Sequence, residues 1–158
     1  MGIQLRDAIN DDIPEIAKVI ALAFEEHRGK LQPPSSSLDK SPESVEQELQ
    51  SAKAIVAVKD GEIIGCVFHA VKDDYVCLAH LAVLPKYRGL GVAKMLVQEV
   101  EKKTLEHNLT TIRLSVRLAL EKTRAFYEHL GYSFYSYGSH PGFTEATHVM
   151  LEKRILRA

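Results

Sequence analysis

The chain has 158 residues, with 20 basic and 21 acidic side chains and a formal net charge of −1. Hydrophobic residues make up 46% of it and charged residues 26%, which is typical of globular proteins and excludes disordered, collagen-like and coiled-coil chains. The length predicts a single domain over residues 1–158. The near-zero net charge argues against nucleic acid or an anionic membrane as a partner, because binding either requires a basic surplus.

Cysteine usage and hydropathy predict the compartment. Cys66 and Cys77 both lie in apolar runs, so we expect buried thiols rather than a disulfide framework. The first residues lack the charged and then apolar regions of a signal peptide, and no stretch approaches the roughly 20 apolar residues of a membrane span. The expected location is the cytoplasm.

The first elements are a strand and two helices. Residues 3–6 alternate apolar and polar side chains and predict a strand. Apolar residues then recur every three or four positions over 13–24, which predicts an amphipathic helix, with cap candidates at residues 10–12. Residues 29–41 have the composition of a loop, and 41–43 begin a short helix that ends near residue 52.

Three strands follow, and then helices alternate with strands. Residues 54–58 and 62–71 are apolar strands, joined by a turn in which Asp60-Gly61 favours a tight hairpin. The later elements are a strand over 75–83, a helix over 91–107, a strand over 111–116, a helix that ends at Leu130-Gly131, and strands over 132–137 and 147–152. The order β-α-α-β-β-β-α-β-α-β-β predicts an α/β (α+β) fold with a mixed, mostly antiparallel central sheet and helices on both faces.

The most informative segment is a glycine-rich turn between a strand and a helix. Pro85 breaks the strand, and Gly89 and Gly91 precede the helix directly. Glycine lets the backbone approach a ligand, and the first helical N–H groups have no internal partner. With the positive end of the helix dipole and Arg88 beside them, these groups favour a phosphate or pyrophosphate. The alternative is a turn that merely needs glycine.

The two common nucleotide motifs do not fit this turn. A dinucleotide-binding fingerprint requires a third glycine where Lys94 stands, and an acidic residue after the next strand, where Arg117 stands. A Walker-type loop requires Gly-Lys-Ser/Thr, which is absent. The turn therefore predicts an anion site of another kind.

Two segments carry a resemblance to a known family. The run Arg88-Gly89-Leu90-Gly91-Val92-Ala93 resembles the acyl-CoA pyrophosphate loop of the GNAT superfamily of N-acetyltransferases. Downstream, Arg124-Ala125-Phe126-Tyr127-Glu128-His129-Leu130-Gly131-Tyr132 is similar to the Phe-Tyr-x-x-Leu-Gly-Phe/Tyr segment of the same family. The predicted element order is also that of the family, so the resemblance covers nearly the whole chain.

The resemblance implies acetyl-CoA as the acyl-donor cosubstrate and no metal. Backbone groups of Leu81, Ala82 and Val83 would bind the pantetheine arm as a neighbouring strand does. The pyrophosphate would be held by backbone amides, with the Arg88 side chain assisting; these amides are those of Arg88, Gly89, Leu90, Gly91, Val92, Ala93 and Lys94. Thr123 stands where many relatives carry a cofactor-contacting Asn, and Phe126 lies in the matched segment.

The resemblance also implies direct attack of an amine on the thioester, without an acyl-enzyme. Tyr127 matches the family's usual general acid, and its alternative role is packing on the sheet. His80 is a candidate general base, and a structural histidine on the opposite face of the strand is the alternative. In some relatives a carboxylate that acts as the general base stands at the position of Cys77. Because this chain lacks it, removal of the proton through a water molecule is an equal alternative.

The acceptor is expected to be a primary amine of a small molecule or a peptide. The resemblance implies that two histidines border the acceptor pocket: His140, between the last two strands, and His27, at the end of the first helix. The alternative for His140 is a turn formed around Pro141-Gly142, and the alternative for His27 is a solvated helix end. A non-catalytic acetyl-CoA-binding module and a protein lysine or N-terminal acetyltransferase are the alternative functions. Homodimers are common in the family, and no residue here establishes one.

Overall fold

A computed structural model describes residues 2–155, and within that range the chain forms seven strands and four α-helices, with short 3-10 turns between them. The elements in chain order are β1 Ile3–Asp7, α1 Ile13–Phe24, α2 Pro42–Glu48, β2 Lys53–Lys59, β3 Glu62–Val71, β4 Val76–Val83, α3 Val92–Glu106, β5 Thr111–Arg117, α4 Glu121–His129, β6 Ser133–Gly138 and β7 His148–Arg154. The order of strands and helices predicted from the sequence is confirmed.

The strands are hydrogen-bonded in the order β1-β2-β3-β4-β5-β7-β6. The pairs β1–β2, β2–β3, β5–β7 and β6–β7 are antiparallel, whereas β4 and β5 are parallel. The sheet is therefore mixed and mostly antiparallel, as predicted. The parallel pair is short: its register covers only Val76 with Ile112 and Cys77 with Arg113.

The chain divides into two compact units. The first comprises the described residues up to 70 together with 78–100, and the second comprises 71–77 together with the described residues from 101 onward. The single domain over residues 1–158 stays a prediction.

The core of the first unit comes from α1, β2 and β3. Ile16 and Ile20 of α1 are fully buried, which confirms the apolar stripe read from their spacing. The chain then returns between β2 and β3 through Asp60 and Gly61, which have φ of 51° and 79°. Two successive positive φ values define the tight hairpin turn that Asp-Gly favours. This hairpin fixes the antiparallel register in which β2 lies beside β3, with Lys59 opposite Glu62.

The second unit closes α4 with a glycine-dependent cap. Gly131 has φ of 100°, its N–H donates to the carbonyl of Glu128, and the N–H of Tyr132 donates to the carbonyl of Tyr127. These two bonds form the Schellman motif, which satisfies the free carbonyls at a helix end. The prediction that Gly131 ends this helix is confirmed, and the cap holds Tyr127 and Tyr132 in a fixed relation.

Two local predictions were wrong. No side chain of residues 10–12 caps α1, because the Asp12 carboxylate instead accepts bonds from the Ile9 N–H at 2.8 Å and from both Arg6 guanidinium nitrogens at 2.7 and 2.9 Å. The helix α2 ends at Glu48 rather than near residue 52, because residues 49–51 turn the chain into β2.

Candidate functional site

The glycine-rich turn before α3 is exposed between two buried anchors. Leu84 and Val92 are 9% and 2% exposed, whereas residues 88–91 between them face solvent. Gly89 and Gly91 both have φ of 81°, a conformation that other residues rarely adopt. A Cβ built on either glycine would meet no atom within 4 Å, so the space above this backbone is open. Glycine is therefore required at both positions by the positive φ, and not because a side chain would clash.

The backbone amides of this turn form a continuous set of free donors. The N–H of Arg88 donates to the Pro85 carbonyl at 3.3 Å, and the N–H of Met95 donates to the Gly91 carbonyl at 3.0 Å. Between these two bonds, the amides of residues 89–94 have no hydrogen-bond partner within the described part of the chain. Such amides at the positive end of a 15-residue helix favour an anion.

The Arg88 side chain turns away from these amides toward the end of α1. Its guanidinium pairs with the Glu26 carboxylate and donates at 2.9 Å to the carbonyl of Ala23. A cation at a helix C-terminus interacts favourably with the carbonyls that have no helical partner there. The side chain thus links the turn to α1, and an anion on the turn would compete with Glu26 for it.

The strand β4 bends at His80. This residue has φ of 51° inside the strand, a left-handed conformation that is uncommon without glycine. The bend interrupts the alternation of side chains along β4, which is why face alternation alone could not place the imidazole. Beyond it, Leu81 is half-buried, and Ala82 and Val83 are buried at 3% and 8% exposure.

The His80 imidazole is enclosed and hydrogen-bonded. Its Nε2 lies 2.6 Å from Oε2 of Glu48, and its ring packs edge-on against Phe68 with centroids 5.0 Å apart. Burial, together with the ammonium of Lys40, lowers the pKa of His80 to about 4. The ring is therefore neutral at physiological pH.

The two cysteines are not equipped for nucleophilic chemistry. Cys66 is fully buried, and burial raises the pKa of its thiol to about 12. Cys77 is half-buried, and burial raises its pKa as well. Both thiols stay protonated near neutral pH, whereas the thiolate is the nucleophilic form. Burial is confirmed for Cys66, whereas Cys77 is more accessible than its apolar setting suggested.

In the second unit, α4 buries a phenol whose hydroxyl is unused. Tyr127 is 5% exposed and packs edge-on against the rings of Phe126 and Tyr132. Its hydroxyl has no hydrogen-bond partner among residues 2–155, and burial raises its pKa. The ring is buried, but the hydroxyl oxygen is not among the fully buried unpartnered polar atoms of the described residues, so a ligand can reach it. Tyr132 differs, because its hydroxyl donates to Glu101 at 3.0 Å.

The other residues predicted on α4 are half-exposed. Thr123 lies one turn before Tyr127, and neither its hydroxyl nor the Phe126 ring makes a polar contact within the described residues. Both are accessible to a ligand at the start of the helix. Their contact with a cofactor stays a prediction.

A polar cluster lies between β6 and β7 in the second unit. The His140 imidazole Nδ1 and backbone N–H both contact the Thr147 hydroxyl, the latter at 3.0 Å. The ring packs edge-on against His148, whose Nδ1 lies 3.1 Å from the Ser115 hydroxyl. Burial lowers the pKa of His140, and Arg117 and His148 add to this effect. Sequence reasoning missed His148 and Ser115, because they lie 33 residues apart and match no motif.

The end of α1 is occupied by ion pairs. Glu25 pairs with Arg28 at 2.8 Å, Glu26 pairs with Arg88, and all four side chains are substantially exposed. His27 packs its ring edge-on against Phe24, with centroids 5.8 Å apart. The two carboxylates are thus already neutralised by arginines, and the contact of His27 with a substrate stays a prediction.

The predicted residues divide between the two units. His27, His80, Leu81–Val83 and the turn up to Lys94 belong to the first, whereas Thr123, Phe126, Tyr127 and His140 belong to the second. Within residues 2–155 no group of three or more His, Cys, Asp or Glu side chains could hold a metal ion. None of the described helices combines the length and apolar character that crossing a membrane demands. The cytoplasmic location stays a prediction.

Three solved structures share this architecture. A PaiA N-acetyltransferase of Thermoplasma acidophilum in complex with coenzyme A has a TM-score of 0.81 at 19% identity, covering 98% of this chain and 99% of that one. The ribosomal-protein-S18-alanine N-acetyltransferase of Escherichia coli has a TM-score of 0.74 at 17% identity, covering 99% and 96%. A GNAT acetyltransferase of Elizabethkingia anophelis with acetyl-CoA bound has a TM-score of 0.74 at 18% identity, covering 98% and 99%.

The sequence match goes further than shared architecture. The model of the acetyltransferase (GNAT) family matches residues 17–132, which span α1 through the end of α4. This range includes the glycine-rich turn with its free amides, the bend at His80 and the buried phenol of Tyr127. With its fold, its glycine-rich turn and this match in agreement, the chain belongs to the GNAT family of acetyltransferases.

Proposed function

We propose that this protein transfers an acetyl group from acetyl-CoA to a primary amine by direct attack in a ternary complex. The observation that carries the proposal is the run of free amides over residues 89–94, at the start of α3 in a chain of the GNAT family. A pyrophosphate can accept hydrogen bonds from these donors without a positively charged side chain. The backbone amides and the positive end of the helix dipole already provide a favourable potential for the anion. Acetyl-CoA supplies the acetyl group as an activated thioester.

The turn and β4 would hold two parts of this cosubstrate. The amides of residues 89–94 bind the pyrophosphate, and Lys94 adds a positive charge at the first turn of α3. The backbone of Leu81–Val83 follows the bend in β4 and binds the pantetheine arm as an additional strand. This role is supported by the register of β4 with β5, which stops at Cys77. The Arg88 guanidinium exchanges the Glu26 carboxylate for a phosphate when the cosubstrate binds.

Replacement of Gly91 by valine tests the binding site. The φ of 81° strains any β-branched residue, and the new side chain occupies the open space above the amides. We expect acetyl-CoA affinity, measured by isothermal titration calorimetry, to fall at least 30-fold while the chain stays folded. Gly61→Val is the matched control, because Gly61 has φ of 79° in the β2–β3 turn and equally open space. Equal affinity in the two variants refutes the assignment.

Tyr127 is the proposed general acid. Direct attack expels the thiolate of coenzyme A, which has to gain a proton. A phenol whose pKa burial has raised stays protonated across the physiological range, so the proton is present on Tyr127 when the thiolate forms. The unused hydroxyl of Tyr127 supports this role, because no described residue competes for its proton.

Tyr127→Phe separates this role from packing. The substitution removes no hydrogen bond within the described residues, so we expect stability and acetyl-CoA affinity to stay within twofold of the wild type. Turnover, followed as release of free thiol, is expected to fall by about 10²–10⁴-fold, the usual range for general acid catalysis. Tyr132→Phe is the control, because it breaks the bond to Glu101 and so costs stability with little effect on turnover. Unchanged thiol release from Tyr127→Phe contradicts the acid role.

His80 is the proposed general base. An acceptor amine is an ammonium ion at neutral pH and has to lose a proton before it attacks. The neutral imidazole of His80 lies directly before the strand residues proposed to bind pantetheine, which supports its choice over the buried thiols. His80→Gln is expected to lower the acetyl-transfer rate at pH 7 more than at pH 9, where more of the amine is already neutral.

The acceptor site is proposed to include His27 and His140. Neutral imidazoles accept hydrogen bonds from an ammonium ion, and the pKa of His140 is lowered by its surroundings. Screening putrescine, spermidine, free amino acids, an aminoglycoside and lysine-containing or alanine-terminated peptides for thiol release identifies the amine class. Preference for the peptides favours a protein acetyltransferase. Acetyl-CoA binding without thiol release from any of them favours the non-catalytic module.

A further inference from the structure

A chain of three part-buried side chains lies behind the bend of β4. His80 contacts the Glu48 carboxylate at the end of α2 through Nε2, 2.6 Å from Oε2. The other oxygen of that carboxylate pairs with the ammonium of Lys40, in the segment just before α2. The Lys40, His80 and Glu48 side chains are 7%, 19% and 32% exposed, so this is an enclosed network and not a surface ion pair. All three residues belong to the first unit.

The chemistry of these groups fixes the hydrogen position on the imidazole. An ionised carboxylate only accepts hydrogen bonds, so a neutral His80 has to donate from Nε2. The remaining nitrogen, Nδ1, then carries the lone pair and is the only atom of the ring able to accept a proton. Nδ1 has no hydrogen-bond partner among residues 2–155. One contact on one side of the ring therefore decides which atom is basic on the other.

Lys40 has a separate effect on the same ring. A carboxylate beside a histidine favours the imidazolium form, and the Lys40 ammonium on the opposite oxygen of Glu48 offsets that negative charge. Burial, together with the charge of Lys40, lowers the pKa of His80 to about 4. The remaining titratable contact is Cys66, whose neutral thiol donates to the His80 backbone carbonyl with an Sγ–O distance of 3.7 Å. Burial and the Lys40 ammonium thus keep the His80 imidazole neutral.

We propose that Glu48 is a positioning residue that holds His80 in the Nε2–H tautomer, and that Lys40 keeps this imidazole neutral, so that Nδ1 accepts the proton of the acceptor ammonium. The inference rests on the proposed function, in which His80 is the base. In this step the ammonium N–H bond breaks and its electron pair stays on nitrogen, which becomes the nucleophile. The proton moves to Nδ1, directly or through one water, and the imidazolium then releases it to solvent.

Nuclear magnetic resonance of the free protein tests the tautomer without any reaction. Long-range ¹H–¹⁵N correlations distinguish the two ring nitrogens, and the signals missing in His80→Gln identify His80. We expect the Nε2–H tautomer in the wild type and in Glu48→Gln, whose amide oxygen still accepts the bond. Lys40→Met is expected to raise the pKa of His80 by at least one unit, because the Glu48 charge is then unopposed. Glu46→Gln, an exposed glutamate of the same helix, is expected to leave both properties unchanged.

Kinetics with acetyl-CoA and the fastest amine of the screen tests the consequence. Glu48→Leu is expected to lower kcat at least tenfold while KM for acetyl-CoA changes less than twofold, and Glu48→Gln is expected to recover most of that loss. In Lys40→Met the acid limb of kcat against pH should move upward by the same interval as the pKa of His80. If Glu48→Leu does not fold, the glutamine and methionine variants still decide the question.

The possible failures are distinguishable. A wild-type Nδ1–H tautomer, or a His80 pKa that Lys40→Met leaves in place, overturns the positioning role while turnover by the wild type stands. An acid limb that does not follow the measured pKa overturns Nδ1 as the proton acceptor. A wild-type protein that acetylates no amine overturns the proposed function and the proton-acceptor role with it.

Discussion

Gly65 of β3 packs against the two segments proposed to bind the cosubstrate, β4 and the start of α3. Its φ lies outside the left-handed region, so an alanine meets no backbone strain there. A Cβ at this position would lie 3.0 Å from the Ala82 carbonyl oxygen, 3.3 Å from Cδ1 of Leu96 and 3.4 Å from Cγ1 of Val92. The first neighbour belongs to β4 and the other two to α3, so Gly65→Ala presses on both segments at once.

Two opposing effects set the magnitude. Loss of backbone freedom in the unfolded chain stabilises a tolerated Gly→Ala substitution by about 0.4–1 kcal/mol. Overpacking of a dense core costs about 1–3 kcal/mol, and here the nearest neighbour is a backbone oxygen, which moves less easily than a side chain. The cost exceeds the gain, and we expect the free energy of unfolding to fall by about 1–2 kcal/mol. Acetyl-CoA affinity should fall with it, because Ala82 has to move.

Urea denaturation at pH 7 measures the change, with the slope checked for constancy between variants. A double-mutant cycle with Val92→Ala isolates one part of the packing, since trimming Val92 removes one of the three near neighbours of the new Cβ. Gly65→Ala should then cost less in the trimmed background. A Gly65→Ala protein that is as stable as the wild type, or more stable, refutes the reasoning, because entropy would then outweigh packing.

Two further predictions concern pH. The folded state holds the pKa of His80 at about 4, below the unfolded value of 6.5, so it binds fewer protons than the unfolded state between these values. The contribution of His80 to the free energy of unfolding is therefore fully present above pH 6.5 and falls on acidification, by about 2–3 kcal/mol near pH 4.5. Urea denaturation of the wild type and of His80→Gln should show different pH dependences in this window. Parallel pH dependences contradict the assignment. Asp12→Asn should cost about 1–2 kcal/mol at pH 7, a value discounted because Arg6 is 45% exposed. Arg6 holds the pKa of Asp12 below its usual value of 3.8, so this contribution is lost as pH falls below 4, and the deficit of the variant should shrink there.

Local sequence signals were sufficient where the physics is local. Spacing of apolar residues placed α1, because helical periodicity repeats within a few residues. Glycine placed the β2–β3 turn and the end of α4, because positive φ is open to few other residues. The helix α2 was predicted too long, because turns after a helix depend on where the next strand has to begin.

The candidate site divides in the same way. Gly89, Gly91 and the helix that follows predicted an anion site from neighbouring residues alone, and the free amides agree with it. His80 could be named but not oriented, since its bend and its contact with Glu48 involve residues 32 positions apart. The hydrogen bond from the Arg88 side chain to the Ala23 carbonyl joins residues 65 positions apart, so the local motif could not predict it.

The sequence by itself determined the family, the order of elements and the conformation of the glycine-rich turn, because each depends on short spacings or on residues, such as glycine, that few others can replace. Only the tertiary structure decided which side chains are charged, which hydroxyls are used and which ring nitrogen is free. The physical reason is that burial and partners from distant segments set these properties. The Tyr127 hydroxyl is unused and the His80 ring is neutral because of what the fold packs around them.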